Sequence, residues 1–169
     1  MDVDLELYKS IKNSGINLIL SVPCIMLKGL LEVIEEKKEI HHIPVTREEE
    51  GVGIAAGAYL GGKIPAILMQ NSGLGNSINA IKSLLELYKI PVVFIISHRG
   101  AEGEKIIAQM PMGQITIDLL KLLAFEIYIL DSPEKVNNII KAVNKAKKTK
   151  KRVAVILKKT LWRIQNEKI

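Results

Sequence analysis

Short apolar runs rich in β-branched residues alternate with helix-length amphipathic segments along the whole of this 169-residue chain. Runs of this kind predict strands buried on both faces, as in parallel sheets that are covered by helices on each side. Strands are predicted at residues 17–20, 40–45, 66–69, 92–96, 126–130 and 153–157. Helices are predicted at residues 3–13, 23–34, 46–60, 74–88, 115–123 and 133–147. The pattern therefore predicts an α/β fold, a doubly wound, mainly parallel six-stranded sheet with helices on both faces, in a single domain over residues 1–169.

The net charge of +6 is concentrated in one part of the chain. Residues 141–159 contain nine Lys or Arg and no acidic residue, whereas the rest contains fifteen basic and eighteen acidic side chains. A solvated helix end beside a strand accounts for such a cluster, and its lysines suit the helix dipole. Nucleic-acid binding is the alternative and predicts salt-dependent retention on DNA. Because only 4% of the residues are aromatic and the charge is not spread over a face, we expect no nucleic-acid partner.

Neither a membrane span nor a secretory signal is predicted. No stretch reaches the roughly 18 consecutive apolar residues that a span requires, and residues 1–4 are acidic where a signal peptide is basic. Cys24 is the one cysteine, so no disulfide can form within the chain. At a helix N-terminus its thiol would be activated, but no base lies near it in the sequence. We expect a cytoplasmic protein with no membrane partner and no metal site of its own.

In a doubly wound sheet, ligands bind beyond the carboxyl ends of the strands. Most of the unusual residues of this sequence fall at those predicted ends. The ends comprise Ser21-Val22-Pro23-Cys24, Pro44-Val45-Thr46-Arg47, Gln70-Asn71-Ser72-Gly73 and Ser97-His98-Arg99-Gly100. The sequence therefore predicts a site at this edge of the sheet.

Gly73, Leu74, Gly75 and Asn76 join a predicted strand to a predicted helix. Two glycines there let a ligand approach the backbone closely, with helix N–H groups directed at it. The third glycine of a dinucleotide fingerprint is replaced by Ile78, and no Gly-Lys-Ser/Thr is present, so neither a Rossmann site nor an ATPase phosphate loop is predicted. A tight strand-to-helix turn explains the motif equally well.

Three glutamates at 48–50 precede a run of Gly and small apolar residues at 51–58. Acidic residues at a helix start favour the macrodipole, and Thr46 with Glu49 fits a capping box. Glycine is a poor helix former, however, and small side chains let a neighbouring subunit or a flat ligand approach the helix. A carboxylate at the head of such a helix is therefore a candidate for chemistry at an interface.

A polar loop after the fourth predicted strand begins with His98 and Arg99 and ends near Gln109. Arg99 and His98 suit an anionic substrate, since a guanidinium binds a carboxylate or sulfonate with its planar fork. A surface arginine and a hydrogen-bonded histidine are the alternative. His41 and His42 alternate along a strand and point to opposite faces, which argues against shared metal ligation and for a structural role.

Residues 47–59 resemble the pyrimidine-binding domain of thiamine-diphosphate-dependent decarboxylases, in which a strand is followed by a glutamate and a helix of small residues. Glu49, Ala56 and Tyr59 fit this spacing. The resemblance continues through residues 22–24, 69–76, 87–93, 97–100 and 109–116. The combination of motifs is most similar to the enzymes that decarboxylate acidic 2-oxoacids such as 3-sulfopyruvate and phosphonopyruvate.

This resemblance implies a role for each candidate residue. Glu49 is the catalytic residue, which hydrogen-bonds ring nitrogen N1′ of the aminopyrimidine and so activates thiamine diphosphate. The cofactor-binding candidates are Glu49, Gly73, Leu74, Gly75 and Asn76. The substrate-binding candidates are His98, Arg99 and Gln109.

Two departures from the family pattern limit what the resemblance implies. In the family, the Gly-Asp-Gly that holds Mg²⁺ and the diphosphate is followed some twenty-five to thirty residues later by an Asn-Asn pair. If Asn137-Asn138 were that pair, the Gly-Asp-Gly would fall near residue 110, where the sequence is Met110-Pro111-Met112-Gly113. The chain therefore lacks the diphosphate domain and is expected to need a beta subunit that binds Mg²⁺, in a hetero-oligomer. The Asp and His-His pair of simple pyruvate decarboxylases align with Ile25 and Gln109-Met110, so those proton-relay roles do not carry over.

Three functions remain open at this stage. The first is the catalytic alpha subunit of a decarboxylase that converts 3-sulfopyruvate to sulfoacetaldehyde and CO₂ in coenzyme M biosynthesis. The second is the same chemistry on phosphonopyruvate, because sulfonate and phosphonate attract the same cationic groups. The third is a non-catalytic α/β partner module, against which the match at Glu49 argues.

Overall fold

The computed structural model describes residues 2–101 and 103–162. Its strands are β1 (Leu18–Ser21), β2 (His41–Pro44), β3 (Pro65–Gln70), β4 (Val93–Ser97), β5 (Glu126–Leu130) and β6 (Val153–Leu157). They form one sheet in the order β2-β1-β3-β4-β6-β5, and every neighbouring pair is parallel. The predicted six-stranded sheet is confirmed, and each predicted strand is present.

The described residues form seven α-helical elements, of which the first precedes β1 and the others lie between strands. They are α1 (Val3–Asn13), α2 (Lys28–Lys37), α3 (Glu48–Leu60), α4 (Ser72–Asn76), α5 (Ile78–Ala80), α6 (Met110–Leu122) and α7 (Asn138–Thr149). Short 3₁₀ turns occur at Ile25–Leu27, Ile107–Gln109, Pro133–Lys135 and Lys159–Trp162. None of these helices is long and apolar enough to cross a membrane.

Helices cover both faces of the sheet, as predicted. Along β3, Ala66 and Leu68 pack into an apolar layer with α1, α2 and α7, whereas Ile67 and Met69 pack into a second layer with α3 and α6. All four side chains have no exposed surface, because successive side chains of a strand point to opposite faces and both faces are covered. This two-sided burial is why the strands of this chain are apolar without interruption.

The strand order reverses between β1 and β3. The chain leaves β1 to form β2 on one side and then returns through α3 to form β3 on the other side of β1. The connections that follow β1 and β3 therefore diverge to opposite faces of the sheet and leave a crevice at the carboxyl ends. The fold places the segments after β1, β3 and β4 at this one edge.

The helix predicted at residues 74–88 is interrupted in the structure. α4 and α5 are separate short pieces, and a π-helical segment, Ile81–Glu86, follows them. Two features explain the break: Gly73 and Gly75 weaken the first turn, and the Ser77 hydroxyl donates to the Gly73 carbonyl at 2.9 Å. Local polar contacts here compete with a regular helix.

The helix predicted at residues 115–123 begins earlier, at Met110, and shortens the preceding loop. Pro111 occupies the first turn of α6, where a missing N–H costs nothing. The start of the loop after β4 packs tightly against the beginning of α6: a Cβ on Gly113 would lie 2.3 Å from the Gly100 carbonyl carbon. Gly100 itself has φ +77°, a backbone conformation that glycine adopts without strain.

Candidate active site

Glu49 lies in the first turn of α3, directly after the carboxyl end of β2. Its Oε1 forms an ion pair with Arg47 Nε at 2.7 Å, whereas its Oε2 is buried and has no partner among the described residues. The side chain as a whole is 32% exposed. Burying a carboxylate oxygen without a hydrogen-bond donor costs free energy. Glu49 Oε2 is therefore a candidate to accept a hydrogen bond from a bound ligand.

The two neighbouring glutamates are committed to contacts within the chain. The buried Glu48 accepts a hydrogen bond from Asn76 Nδ2 at 3.1 Å, which ties α3 to α4. Glu50 Oε2 accepts bonds from the Thr46 backbone N–H at 3.2 Å and the Thr46 hydroxyl at 3.0 Å. The predicted capping box with Glu49 is therefore wrong: Glu50 makes that contact, and Glu49 is left for other chemistry.

The Gly73–Asn76 turn packs against the head of α3. A Cβ on Gly73 would lie 2.3 Å from Glu48 Cγ, so glycine is what permits this close approach. Leu74 has no exposed surface and belongs to the apolar layer, which makes it a support of the turn. Gly75 and Asn76 are exposed beside Glu48. The structure thus brings the turn against Glu48 at the head of α3, one residue before Glu49, and the role of the four residues toward a cofactor stays a prediction.

His98 and Arg99 hold the loop that follows β4. His98 Nε2 donates to the Gly113 carbonyl at 3.0 Å, and its Nδ1 is buried without a partner among the described residues. Arg99 donates with its fork to Glu104, from Nε at 2.7 Å and Nη2 at 3.1 Å. This pairing and a bond from the Ile106 N–H hold the pKa of Glu104 far below its usual range. Both predicted substrate residues are engaged in shaping the loop, and direct contact with substrate stays a prediction.

Gln109 joins a polar cluster at the carboxyl ends of β3 and β4 that sequence reasoning did not assemble. Gln70 Nε2 donates to Gln109 Oε1 at 2.8 Å, and Gln70 Oε1 lies 3.6 Å from Cys24 Sγ. Ser97 Oγ lies 3.2 Å from the same sulfur. Gln70 and Ser97 are each the last residue of a strand, and this position was the signal in the sequence that could have identified them as site residues. Their convergence depends on the order of the strands.

Asn71 is a second residue that sequence reasoning did not single out. It is 1% exposed, and its side chain bonds both backbone groups of Arg99, accepting from the N–H at 3.0 Å and donating to the carbonyl at 2.9 Å. The amide also donates to Thr116 Oγ1 of α6 at 2.8 Å. Asn71 therefore fixes the loop after β4 against both β3 and α6. No cluster of His, Cys, Asp or Glu within the described residues could hold a metal ion.

A carboxylate lies at the head of a small-residue helix, on the carboxyl edge of a parallel sheet and near a glycine turn, which makes this edge a candidate cofactor site. The chain belongs to the thiamine pyrophosphate enzymes: residues 1–122 match the family described as the N-terminal TPP binding domain. It is 52% identical over 141 residues to the sulfopyruvate decarboxylase subunit alpha of Methanococcus maripaludis, covering 83% of this chain and 84% of that one.

Similarity extends to longer proteins. The phosphonopyruvate decarboxylase of Streptomyces viridochromogenes is 39% identical over 122 residues, which cover 72% of this chain but 31% of that enzyme. Among solved structures, a 2-oxoglutarate:ferredoxin oxidoreductase from Magnetococcus marinus aligns with a TM-score of 0.73 at 13% identity, over 95% of this chain and 29% of that chain. The structural match supports the fold alone.

Proposed function

We propose that this chain is the alpha subunit of a thiamine-diphosphate-dependent decarboxylase that converts 3-sulfopyruvate to sulfoacetaldehyde and CO₂, a step in coenzyme M biosynthesis. The identity of 52% to an alpha subunit of that activity, over most of both chains, supports the substrate. The observation that carries the mechanism is the buried, unpartnered Oε2 of Glu49. The single pyrimidine-binding domain over residues 1–169 and a cytoplasmic location stay part of the proposal.

Glu49 would share a proton with the aminopyrimidine ring of the cofactor. Thiamine diphosphate, when bound, supplies an electron sink for the cleavage of the bond to the carboxylate. Glu49 Oε2 would hydrogen-bond N1′ of the aminopyrimidine, while the ion pair with Arg47 engages the other carboxylate oxygen, Oε1. The turn that contains Gly73 and Gly75 would border the pyrimidine. A partner chain that covers this edge would exclude water, which would strengthen the contact between Glu49 and the ring.

A second polypeptide is part of the proposal, because this chain accounts for one half of the chemistry. No Gly-Asp-Gly followed by Asn-Asn at the family's spacing is present in the sequence. The phosphonopyruvate decarboxylase relative has more than two thirds of its length outside the match. A beta subunit would supply the groups that bind Mg²⁺ and the diphosphate, in a hetero-oligomer.

The exposed face of α3 is the surface that we assign to this partner. Gly53, Ile54 and Gly57 are exposed, whereas Val52 and Ala55 are buried against the sheet. A Cβ on Gly53 or Gly57 would meet no atom within 4 Å. Because residues four apart share a helix face, both glycines lie on the side of Glu49. This face lets another chain approach the carboxylate closely.

The experiment that tests the proposal measures CO₂ release from 3-sulfopyruvate with Mg²⁺ and thiamine diphosphate. The chain is co-expressed with a candidate diphosphate-domain partner, and each chain alone serves as control. We expect turnover in the mixture only, because neither chain holds a complete site. Turnover by this chain alone would contradict the half-site proposal. An assembled mixture that is inactive on 3-sulfopyruvate would contradict the substrate.

A bulky residue on the exposed face of α3 tests the partner surface. We expect Gly57→Arg to weaken association with the partner at least tenfold, since a long side chain separates two closely packed backbones. Gly57→Ala is the matched control and should change the affinity little. Both variants should fold, as the position is open in the chain itself. Equal affinities for the two variants, measured by calorimetric titration, would place the partner elsewhere.

Phosphonopyruvate is the second candidate substrate, and the phosphonopyruvate decarboxylase relative favours it. Both substrates are 2-oxoacids with a second anionic group. An amide donor such as that of Gln109 could hydrogen-bond a sulfonate or a phosphonate. A side-by-side comparison of kcat/KM for the two compounds separates them. We expect the higher value for 3-sulfopyruvate.

A further inference from the structure

A pocket of about 410 Å³ lies at the opposite end of the sheet from Glu49. It is formed where the chain enters β4, β5 and β6, so the length of a five-residue strand, about 17 Å, separates the two edges. Four cationic residues line it, namely Lys89, Lys150, Lys151 and Arg152. Three of them belong to the basic cluster at 141–159, for which the decarboxylase chemistry has no use.

Arg152 is the fixed cation of this pocket. It is 6% exposed, and its Nη2 donates to Glu86 Oε2 at 2.9 Å and to the Leu123 carbonyl at 3.0 Å. The guanidinium carbon stands 5.6 Å from the centre of the Phe125 ring. Its Nε is buried and has no acceptor among the residues that the structure describes. A guanidinium that Glu86 and Leu123 hold in place therefore forms part of the pocket wall.

The acidic residue of the pocket is already neutralised. Glu86 pairs with Lys82 at 2.5 Å and with Arg152, and the hydrogen bond from Lys82 lowers its pKa. Lys89 and Lys151, in contrast, have no carboxylate within 4.0 Å among residues 2–101 and 103–162. Lys150 donates to the Tyr59 hydroxyl at 2.8 Å. The pocket therefore has a net positive charge and two unpaired ammonium groups at its rim.

Three residues that line the pocket have an unusual backbone conformation. Lys89, Ala124 and Lys150 all have left-handed conformations, with φ of 53°, 56° and 55°. Glycine is the favoured residue at such helix ends, because L side chains are disfavoured there. Lysine occupies two of these positions, and Lys38, which lies away from the pocket, has the same conformation. Replacement of such a lysine by glycine relieves the strain, so these positions offer variants that lose an ammonium group without loss of stability.

We propose that this pocket binds a small molecule through a phosphoryl oxyanion, at a site separate from the decarboxylase site. Its volume suits a small ligand. Arg152 contributes a fixed positive charge to the pocket wall, and the lysines add mobile ammonium donors. The charge lines one concave pocket, whereas a nucleic-acid surface would extend along a face.

The test titrates inorganic diphosphate onto the full chain by calorimetry, without Mg²⁺, and compares it with ADP. Saturable binding of either probe is expected. A stronger response to ADP assigns the site to a nucleotide, and a stronger response to diphosphate assigns it to the free anion. Lys89→Gly and Lys151→Gln should each weaken binding about tenfold, the effect of losing one charged hydrogen bond.

Lys38→Gly is the matched control, because Lys38 has the same left-handed backbone, with φ of 54°, and lies away from this pocket. Lys89→Gly and Lys38→Gly should both raise the thermal midpoint by about 2 °C, since each relieves backbone strain, but only the first should weaken binding. Absence of binding, equal loss of binding in both variants, or tight retention on double-stranded DNA would overturn the proposal.

Discussion

Replacement of Glu49 by Gln should lower CO₂ release by the assembled enzyme at least a hundredfold, while the fold and the thermal midpoint stay near those of the parent. Gln keeps the size of the side chain and one oxygen that can lie beside Arg47. It removes the charge and the proton-holding oxygen Oε2, which is buried and unpartnered in the chain. General acid–base groups contribute typically 10²–10⁴-fold to rates. The measurement is kcat at saturating cofactor and substrate.

The three consecutive glutamates provide the control for this prediction. Glu50→Gln changes the same charge one residue away, at an exposed position bonded to Thr46, and should leave kcat within about threefold, because its contact stabilises a helix end only. Normal turnover of Glu49→Gln would contradict the proposed mechanism. An equal loss in both variants would show that charge at the head of α3 matters more than the single carboxylate.

A methyl group on Gly113 should destabilise the chain by about 3 kcal/mol and lower the thermal midpoint by roughly 6–12 °C. A Cβ there would lie 2.3 Å from the carbonyl carbon of Gly100 and 2.5 Å from the Arg99 carbonyl oxygen. These are backbone atoms, so no side-chain rotation relieves the clash. The loop after β4 and the first turns of α6 would separate, and the bond from His98 to the Gly113 carbonyl would be lost. Thermal unfolding followed by circular dichroism measures the effect.

Gly53→Ala is the matched control for Gly113→Ala. Both glycines are in helices, but a Cβ on Gly53 would meet nothing within 4 Å. Alanine is the better helix former by as much as about 1 kcal/mol, so Gly53→Ala should stabilise the isolated chain. If Gly113→Ala were as stable as the parent, the tight crossing of the loop and α6 would be absent in solution.

The alternation of apolar strands with amphipathic helices was sufficient to predict the sheet, its parallel direction and the two helical layers. Such patterns act locally, because a strand buried on both faces must be apolar along its whole length. The same reasoning did not predict the interruption between α4 and the π-helical segment. There, the Ser77 hydroxyl contact with Gly73 competes with the regular helix, and apolar spacing contains no information on that competition.

The candidate edge of the sheet and the position of Glu49 could also be predicted, since the carboxyl ends of parallel strands lie together in any doubly wound fold. Sequence could not distinguish three adjacent glutamates by their contacts. Glu48 is bonded to Asn76, 28 residues away, and Glu50 to Thr46. Arg99, predicted to be available to an anion, is instead paired with Glu104.

The linear order of residues, with its periodicity and its family motif, thus determined the kind of fold and the glutamate at the centre of the site. Which side chains are already committed, and which polar atom is left without a partner, depended on the packed chain. Hydrogen bonds such as those of Asn71 to Arg99 and Thr116 join β3, the loop after β4 and α6, and form only when the strand order brings these segments together. The basic pocket has the same origin, because Lys89 and Lys151 are 62 residues apart and meet only where β4 and β6 lie side by side.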